Sequence, residues 1–118
     1  MTGAASRRGE EAEDFAARHL EQQGLVVVTR NYRTRFGEVD LVAHDGETLV
    51  FVEVRARRGN AFGGAAASVD ARKQRRIVAA ARHYLLRLGA EPACRFDVLT
   101  LQGPRAKPQW IRGAFELA

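Results

Sequence analysis

Apolar residues recur at two different spacings along this chain, and the change of spacing separates predicted helices from predicted strands. Between Glu10 and Gly24, alanine, phenylalanine and leucine recur at helical spacing, which predicts an amphipathic helix. Three segments rich in β-branched residues follow, and each predicts a strand. They cover residues 25–33, 38–44 and 48–57. Asp45-Gly46 is a hairpin-turn pair, so we expect the three strands to form an antiparallel meander.

The second half of the chain repeats the change from helix to strand. An apolar stripe at helical spacing predicts a second helix, which Ser68 or Asp70 caps and Gly89 ends. Residues 95–101 predict a fourth strand, and residues 109–111 a short fifth one. Because a helix connects the third and fourth strands, the fourth can pair in parallel within the same sheet.

Length and composition favour a single α/β domain. The chain has 118 residues, with one domain expected over 9–118, while residues 1–8 are small and polar and predict a flexible N-terminus. The single cysteine, Cys94, excludes an intrachain disulfide and a zinc ribbon. No segment approaches the length of an apolar membrane span, and the N-terminus lacks the apolar region of a secretory signal. We therefore expect a cytoplasmic protein without a membrane partner.

Positive charge is abundant and comes almost entirely from arginine. The chain carries 17 Arg and 2 Lys, for a net charge of +5 and a pI of about 10.3. A basic balance favours polyanion partners, and the planar arginine fork can bind two phosphate oxygens at once. The alternative is a preference for arginine codons together with ordinary solubility.

Two acidic residues, Asp40 and Glu53, lie next to apolar residues within the predicted strands 38–44 and 48–57. In a tight meander around Asp45-Gly46 their carboxylates can come close on one side of the sheet. Such carboxylates repel each other unless a proton or a cation lies between them. Hard oxygen ligands suit Mg²⁺ or Mn²⁺, which can polarise a phosphate and lower the pKa of a bound water. The alternative is an ordinary ion-pair network with arginines such as Arg55.

The spacing of these residues resembles a known signature. Asp40, twelve residues and then Glu53-Val54-Arg55 resembles the PD-(D/E)XK nuclease motif. A set of further blocks resembles the bacterial YraN family, also called UPF0102, from about Glu13 to Phe115. The blocks are Asn31-Tyr32-Arg33, residues 37–41 and 50–55, Phe62-Gly63-Gly64-Ala65-Ala66, Arg72-Lys73-Gln74, residues 94–98 and Trp110-Ile111.

The resemblance implies a three-layer α-β-α, restriction-endonuclease-like core similar to that of Holliday-junction resolvases. Asp40 and Glu53 would hold Mg²⁺ or Mn²⁺, and Glu13 would be the acid that such nucleases place on the first helix. The alternative for Glu13 is that it complements the helix macrodipole together with neighbouring acids. Gln74 matches a polar position on the second helix that can face the site. Arg55 departs from the usual lysine, because arginine cannot accept a proton, although it can stabilise charge on the phosphate.

A cluster of positive charge begins the second helix, where it opposes the macrodipole. A bound phosphate would offset that cost, whereas the alternative is a solvated charged face. We expect a patch that binds the nucleic-acid backbone. Its predicted residues are Arg57, Arg58, Arg72, Lys73, Arg75 and Arg76.

Three functions are compatible with these patterns. The leading hypothesis is a metal-dependent nuclease acting on structured DNA, such as branched recombination or repair intermediates. The alternative is a non-catalytic nucleic-acid-binding module on the same fold, and the third is an adaptor whose arginines bind an acidic protein. A resolvase-like role would favour a homodimer, because a two-fold junction requires two cuts, but the sequence contains no self-complementary stripe.

Overall fold

The computed structural model describes residues 4–57, 69–102 and 108–117, which form two helices and five strands. The helices are α1 (Ala4–Gln22) and α2 (Ala71–Leu88). The strands are β1 (Val26–Thr34), β2 (Gly37–Asp45), β3 (Thr48–Arg57), β4 (Cys94–Gln102) and β5 (Gln109–Phe115).

All five strands lie in one mixed sheet in the order β1-β2-β3-β4-β5. The pairs β1–β2 and β2–β3 are antiparallel, which confirms the predicted meander. Strand β4 pairs in parallel with β3, as expected for strands joined through a helix, and β5 pairs antiparallel with β4.

The two helices pack on opposite faces of the sheet and so produce three layers. Alternate residues of β3 divide between them: Leu49 and Phe51 pack with the core under α2, whereas Val50 and Val52 pack with the core under α1. This arrangement confirms the expected α-β-α architecture. In the part of the chain described, neither helix combines the length and apolar character that a membrane span requires.

The ends of α2 agree with the sequence prediction. The Asp70 side chain caps the N-terminus by accepting the N–H of Lys73 at 2.8 Å, and Gly89 ends the helix with a φ of 71°. Ser68, the other predicted cap, lies outside the described residues. Strand β5 extends beyond the predicted 109–111, because a bulge at Gly113 lets pairing with β4 continue to Phe115.

Helix α1 begins at Ala4, earlier than the predicted start at Glu10. Its first turn therefore contains no acidic residue, and the macrodipole no longer accounts for Glu13. The predicted flexible segment, residues 1–8, lies partly outside the described residues, and its remainder belongs to this helix.

Candidate metal and nucleic-acid site

Strands β2 and β3 separate at Asp40 and Glu53. Their pairing runs from Asp45 opposite Thr48 to Leu41 opposite Val52, and Asp40 and Glu53 are the next positions in that register. Here the Asp40 Oδ2 atom accepts the backbone N–H of Val54 at 2.8 Å. At this position a hydrogen bond from the Val54 backbone to the Asp40 side chain replaces backbone pairing between the strands. It fixes the Asp40 carboxylate where β2 and β3 separate.

The regular alternation of β2 is also interrupted at Asp40. Val39 packs with the core under α2, whereas Leu41 packs with the core under α1. Residues two apart share a face in an uninterrupted strand, so the backbone changes its orientation between these two positions. Asp40 lies at that change of orientation.

In the neighbouring strand β1, the backbone also changes its orientation, at Asn31. Arg30 pairs with Asp14 of α1, whereas Tyr32 packs its ring on Tyr84 of α2 with the ring centroids 5.2 Å apart. Asn31 between them has a φ of 53°, a left-handed conformation that asparagine adopts more readily than most residues. Positive φ values in non-glycine residues are often found at functional sites.

Glu53 is buried beside Asp40 and its charge is incompletely compensated. Its side chain is 3% exposed, and the Oε1 atom has no hydrogen-bond partner. The Oε2 atom lies 3.5 Å from Lys73 Nζ and 3.7 Å from Arg55 Nη1. Burial raises the pKa of Glu53 to about 8, assisted by the charge and hydrogen bonding of Asp40, while Lys73 and Arg55 oppose the rise. Metal-free Glu53 is therefore largely protonated at neutral pH.

Glu13 of α1 approaches the pair from the other side. Its Oε1 atom is buried without a hydrogen-bond partner. Burial raises the pKa of Glu13, with repulsion from Asp40 acting in the same direction, whereas hydrogen bonding by Asn31 and the charge of Arg30 lower it. Among the described residues, no three His, Cys, Asp or Glu side chains converge on one metal position, so Glu13 does not join Asp40 and Glu53 as a third ligand.

The donor set of Asp40 and Glu53 fits a hard divalent cation. Two repelling carboxylates, one with a buried and unpartnered oxygen, are compensated by a cation that accepts oxygen ligands. The predicted alternative, an ion-pair network, is present only in part. Arg55 and Lys73 both approach Oε2, but Oε1 has no partner and the pKa of Glu53 remains raised.

The structure brings some of the predicted site residues together and separates others. Lys73, predicted to bind the nucleic-acid backbone, lies with its Nζ atom 3.5 Å from Glu53 Oε2. The amide nitrogen of Gln74, predicted to position the reactants, donates to the carbonyl of Val69 at 3.0 Å. Arg72, Arg75 and Arg76 are exposed. Only the backbone of Arg57 is described, and Arg58 lies outside the described residues.

The sequence did not identify Asn31 as a residue of the site, and it did not identify Lys73 as a neighbour of Glu53. The signal for Asn31 was its residue type within a strand of β-branched neighbours, because asparagine is disfavoured in strands but tolerates a positive φ. No signal in the sequence identified Lys73 as a neighbour of Glu53, because that contact depends on how α2 lies across the sheet.

The chain is similar to bacterial proteins of one family. The model of the family described as "Uncharacterised protein family UPF0102" matches residues 12–101. A UPF0102 protein of Nitrosospira multiformis is 53% identical over 111 residues, which cover 93% of each chain. A UPF0102 protein of Cupriavidus taiwanensis is 58% identical over 111 residues, which cover 92% of this chain and 82% of the relative. The segment matched by the family model contains the second half of α1, all of α2, the meander and the carboxylate pair, and the chain belongs to the UPF0102 family.

Proposed function

We propose that this protein is a divalent-metal-dependent nuclease that acts on structured nucleic acid, with Asp40 and Glu53 as the metal ligands. The observation that carries the proposal is the buried carboxylate pair, in which Glu53 Oε1 has no protein partner. A purely structural ion pair would be expected to satisfy both oxygens of a buried carboxylate. The unpartnered oxygen is instead suited to a ligand from outside the chain.

The residues around the pair have complementary roles in this proposal. A bound Mg²⁺ or Mn²⁺ would polarise the scissile phosphate and promote ionisation of water. The Val54 N–H holds Asp40 in place, and Arg55 stabilises negative charge that develops on the phosphate. Lys73 neutralises the oxygen of Glu53 that faces α2. Glu13 is a supporting acid close to Asp40.

The charge of the protein supports a polyanionic substrate. The net charge is +5, and Arg72, Arg75 and Arg76 are exposed in the first turns of α2, close to Lys73. The planar arginine fork binds phosphate oxygens in a bidentate manner. We propose DNA as the substrate, with Arg57 and Arg58 as further backbone contacts.

The test is cleavage of a four-way junction, a flap and a linear duplex with Mg²⁺, Mn²⁺ or EDTA. Wild-type protein is compared with Asp40→Asn, Glu53→Gln and the control Glu47→Gln, which neutralises an exposed acid in the β2–β3 turn. We expect metal-dependent cleavage by the wild type and the control, and its loss in both site variants. Equal cleavage by Glu53→Gln and the wild type would show that the site is wrongly assigned.

A second candidate function is a non-catalytic nucleic-acid-binding module on the same fold. It is favoured by Arg55, which replaces the usual lysine and cannot act as a base. This function predicts salt-sensitive DNA binding that survives Asp40→Ala and Glu53→Ala, with no cleavage in any metal. Binding without cleavage by the wild type would make Arg55→Lys the next variant to test.

A further inference from the structure

The turn between β1 and β2 carries an exposed phenylalanine. Phe36 is 63% exposed, and the guanidinium carbon of Arg35 lies 5.3 Å from the centroid of its ring. Single exposed apolar residues are common on protein surfaces, so exposure alone has no functional meaning. Three further features distinguish this one: the rigidity of its turn, its position and its surrounding charge.

The turn is rigid because Thr34 fixes it from inside. The Thr34 Oγ1 atom accepts the N–H groups of Phe36 and Gly37, each at 3.1 Å, and its hydroxyl donates to the Gly37 carbonyl at 2.9 Å. A ring held on such a turn loses little conformational entropy when it binds a ligand.

The turn is also anchored on α2, next to the carboxylate pair. A Cβ atom added to Gly37 would lie 2.0 Å from the Arg76 carbonyl oxygen, so the two backbones are in close contact. Arg76 is three residues after Lys73, which contacts Glu53, and residues three apart are neighbours on a helix surface. Along β2, Phe36 is four residues before Asp40, or about 13 Å in an extended strand.

The charge around Phe36 matches a nucleic acid. The exposed side chains within the turn and on the adjoining part of α2 are mostly arginines. They are Arg35, Arg72, Arg75 and Arg76, while Arg33 on β1 pairs with Glu38 at 3.2 Å. Arginines bind phosphates, whereas an aromatic ring stacks on the face of a base. Bases inside an intact duplex are already stacked, so a ring on this turn can only engage a base that has left the stack.

We propose that Phe36 is a stacking residue that recognises an unstacked base close to the phosphate positioned at the carboxylate pair. The substrate class is then DNA with a branch point, bulge or single-stranded gap. This inference rests on the proposed function for its choice of ligand, but not on catalysis, because stacking and binding require no bond cleavage.

The test measures DNA binding in EDTA, where metal-dependent cleavage is absent. The probes are a fluorescent four-way junction and a linear duplex of the same sequence, each with 2-aminopurine at the position of the branch point. Fluorescence anisotropy gives the Kd, and 2-aminopurine emission rises when that base leaves the stack. The variants are Phe36→Ala, Phe36→Trp and the control Leu86→Ala, which removes a side chain that is 82% exposed near the C-terminal end of α2.

We expect Phe36→Ala to weaken binding to the junction by about 5- to 100-fold, the value of one base–aromatic stack, and binding to the duplex by less than about twofold. The 2-aminopurine signal of the junction should fall in the same variant. Phe36→Trp should restore both, and Leu86→Ala should behave as the wild type. If Phe36→Ala weakens binding to the junction but not to the duplex, the inference is supported even if the protein cleaves no DNA.

Two patterns of DNA binding by Phe36→Ala would overturn the inference. One is equal binding of the junction by the wild type and Phe36→Ala, which would reject the stacking role and leave metal-dependent cleavage unaffected. The other is equal weakening of junction and duplex in Phe36→Ala, which would assign Phe36 to general surface contact. Failure to bind either DNA, with tight binding of an acidic peptide instead, would reject nucleic acid as the ligand.

Discussion

Replacing Glu53 by glutamine is expected to change how the stability of the metal-free protein depends on pH. The pKa of Glu53 is raised from 4.5 to about 8 in the folded state, chiefly by burial. Between these values the folded chain holds a proton that the unfolded chain has released. This contribution to stability is therefore complete below the unfolded pKa and is lost as the pH rises through about 8. Glutamine resembles the protonated carboxyl group but cannot ionise.

The size of the effect follows from the two pKa values. The free energy of unfolding of the wild type, relative to Glu53→Gln, falls by about 4 kcal/mol between pH 5 and pH 9. About a third of that fall occurs between pH 7 and pH 9. For a domain of this size, about 1 kcal/mol corresponds to a change of about 4 °C in Tm.

The assay is urea denaturation in EDTA at several pH values, followed by the fluorescence of Trp110, the single tryptophan. Wild type, Glu53→Gln and the control Glu47→Gln are compared at constant ionic strength. We expect the wild type and Glu47→Gln to lose stability in parallel as the pH rises, and Glu53→Gln to lose much less. Parallel curves for the wild type and Glu53→Gln would refute the argument, because Glu53 would then titrate normally in the folded protein.

Three further substitutions test the surroundings of the carboxylate pair. Asn31→Ala should lower the free energy of unfolding by about 1 kcal/mol because alanine adopts a φ of 53° less readily than asparagine, whereas Asn31→Gly should be tolerated, as measured by urea denaturation. Gly37→Ala places a Cβ 2.0 Å from a backbone oxygen of α2, so it should cost about 1–3 kcal/mol in the same assay. Lys73→Gln removes a charge that lowers the pKa of Glu53, so the midpoint of the pH–rate profile for cleavage should rise. An unchanged midpoint, with Arg72→Gln as the control, would show that Lys73 does not influence Glu53.

The sequence was most informative where single residues determine local structure. Asp70 and Gly89 predicted both ends of α2 because a capping carboxylate and a left-handed glycine act within one turn of helix. The start of α1 was missed, because the residues from Ala4 to Gly9 are small or charged and carry no apolar period.

The parts of the candidate site that could not be predicted depend on tertiary geometry. Spacing indicated that Asp40 and Glu53 approach each other, but not that β2 and β3 separate there with Val54 bonded to the Asp40 side chain. The contact of Lys73 with Glu53 depends on the position of α2 over the sheet. The unpartnered Glu53 Oε1 atom is a property of packing around the whole site, which no local pattern encodes.

The most direct test of the central claim, that Asp40 and Glu53 hold a divalent cation, is titration with Mn²⁺ monitored by electron paramagnetic resonance. Free Mn²⁺ gives a sharp signal that is lost on binding, and a pH above 8 favours the ionised form of Glu53. The account predicts one bound Mn²⁺ per chain in the wild type and in Glu47→Gln, and its loss in Asp40→Asn and Glu53→Gln. Equal Mn²⁺ binding by all four proteins, or no binding by the wild type, would contradict it.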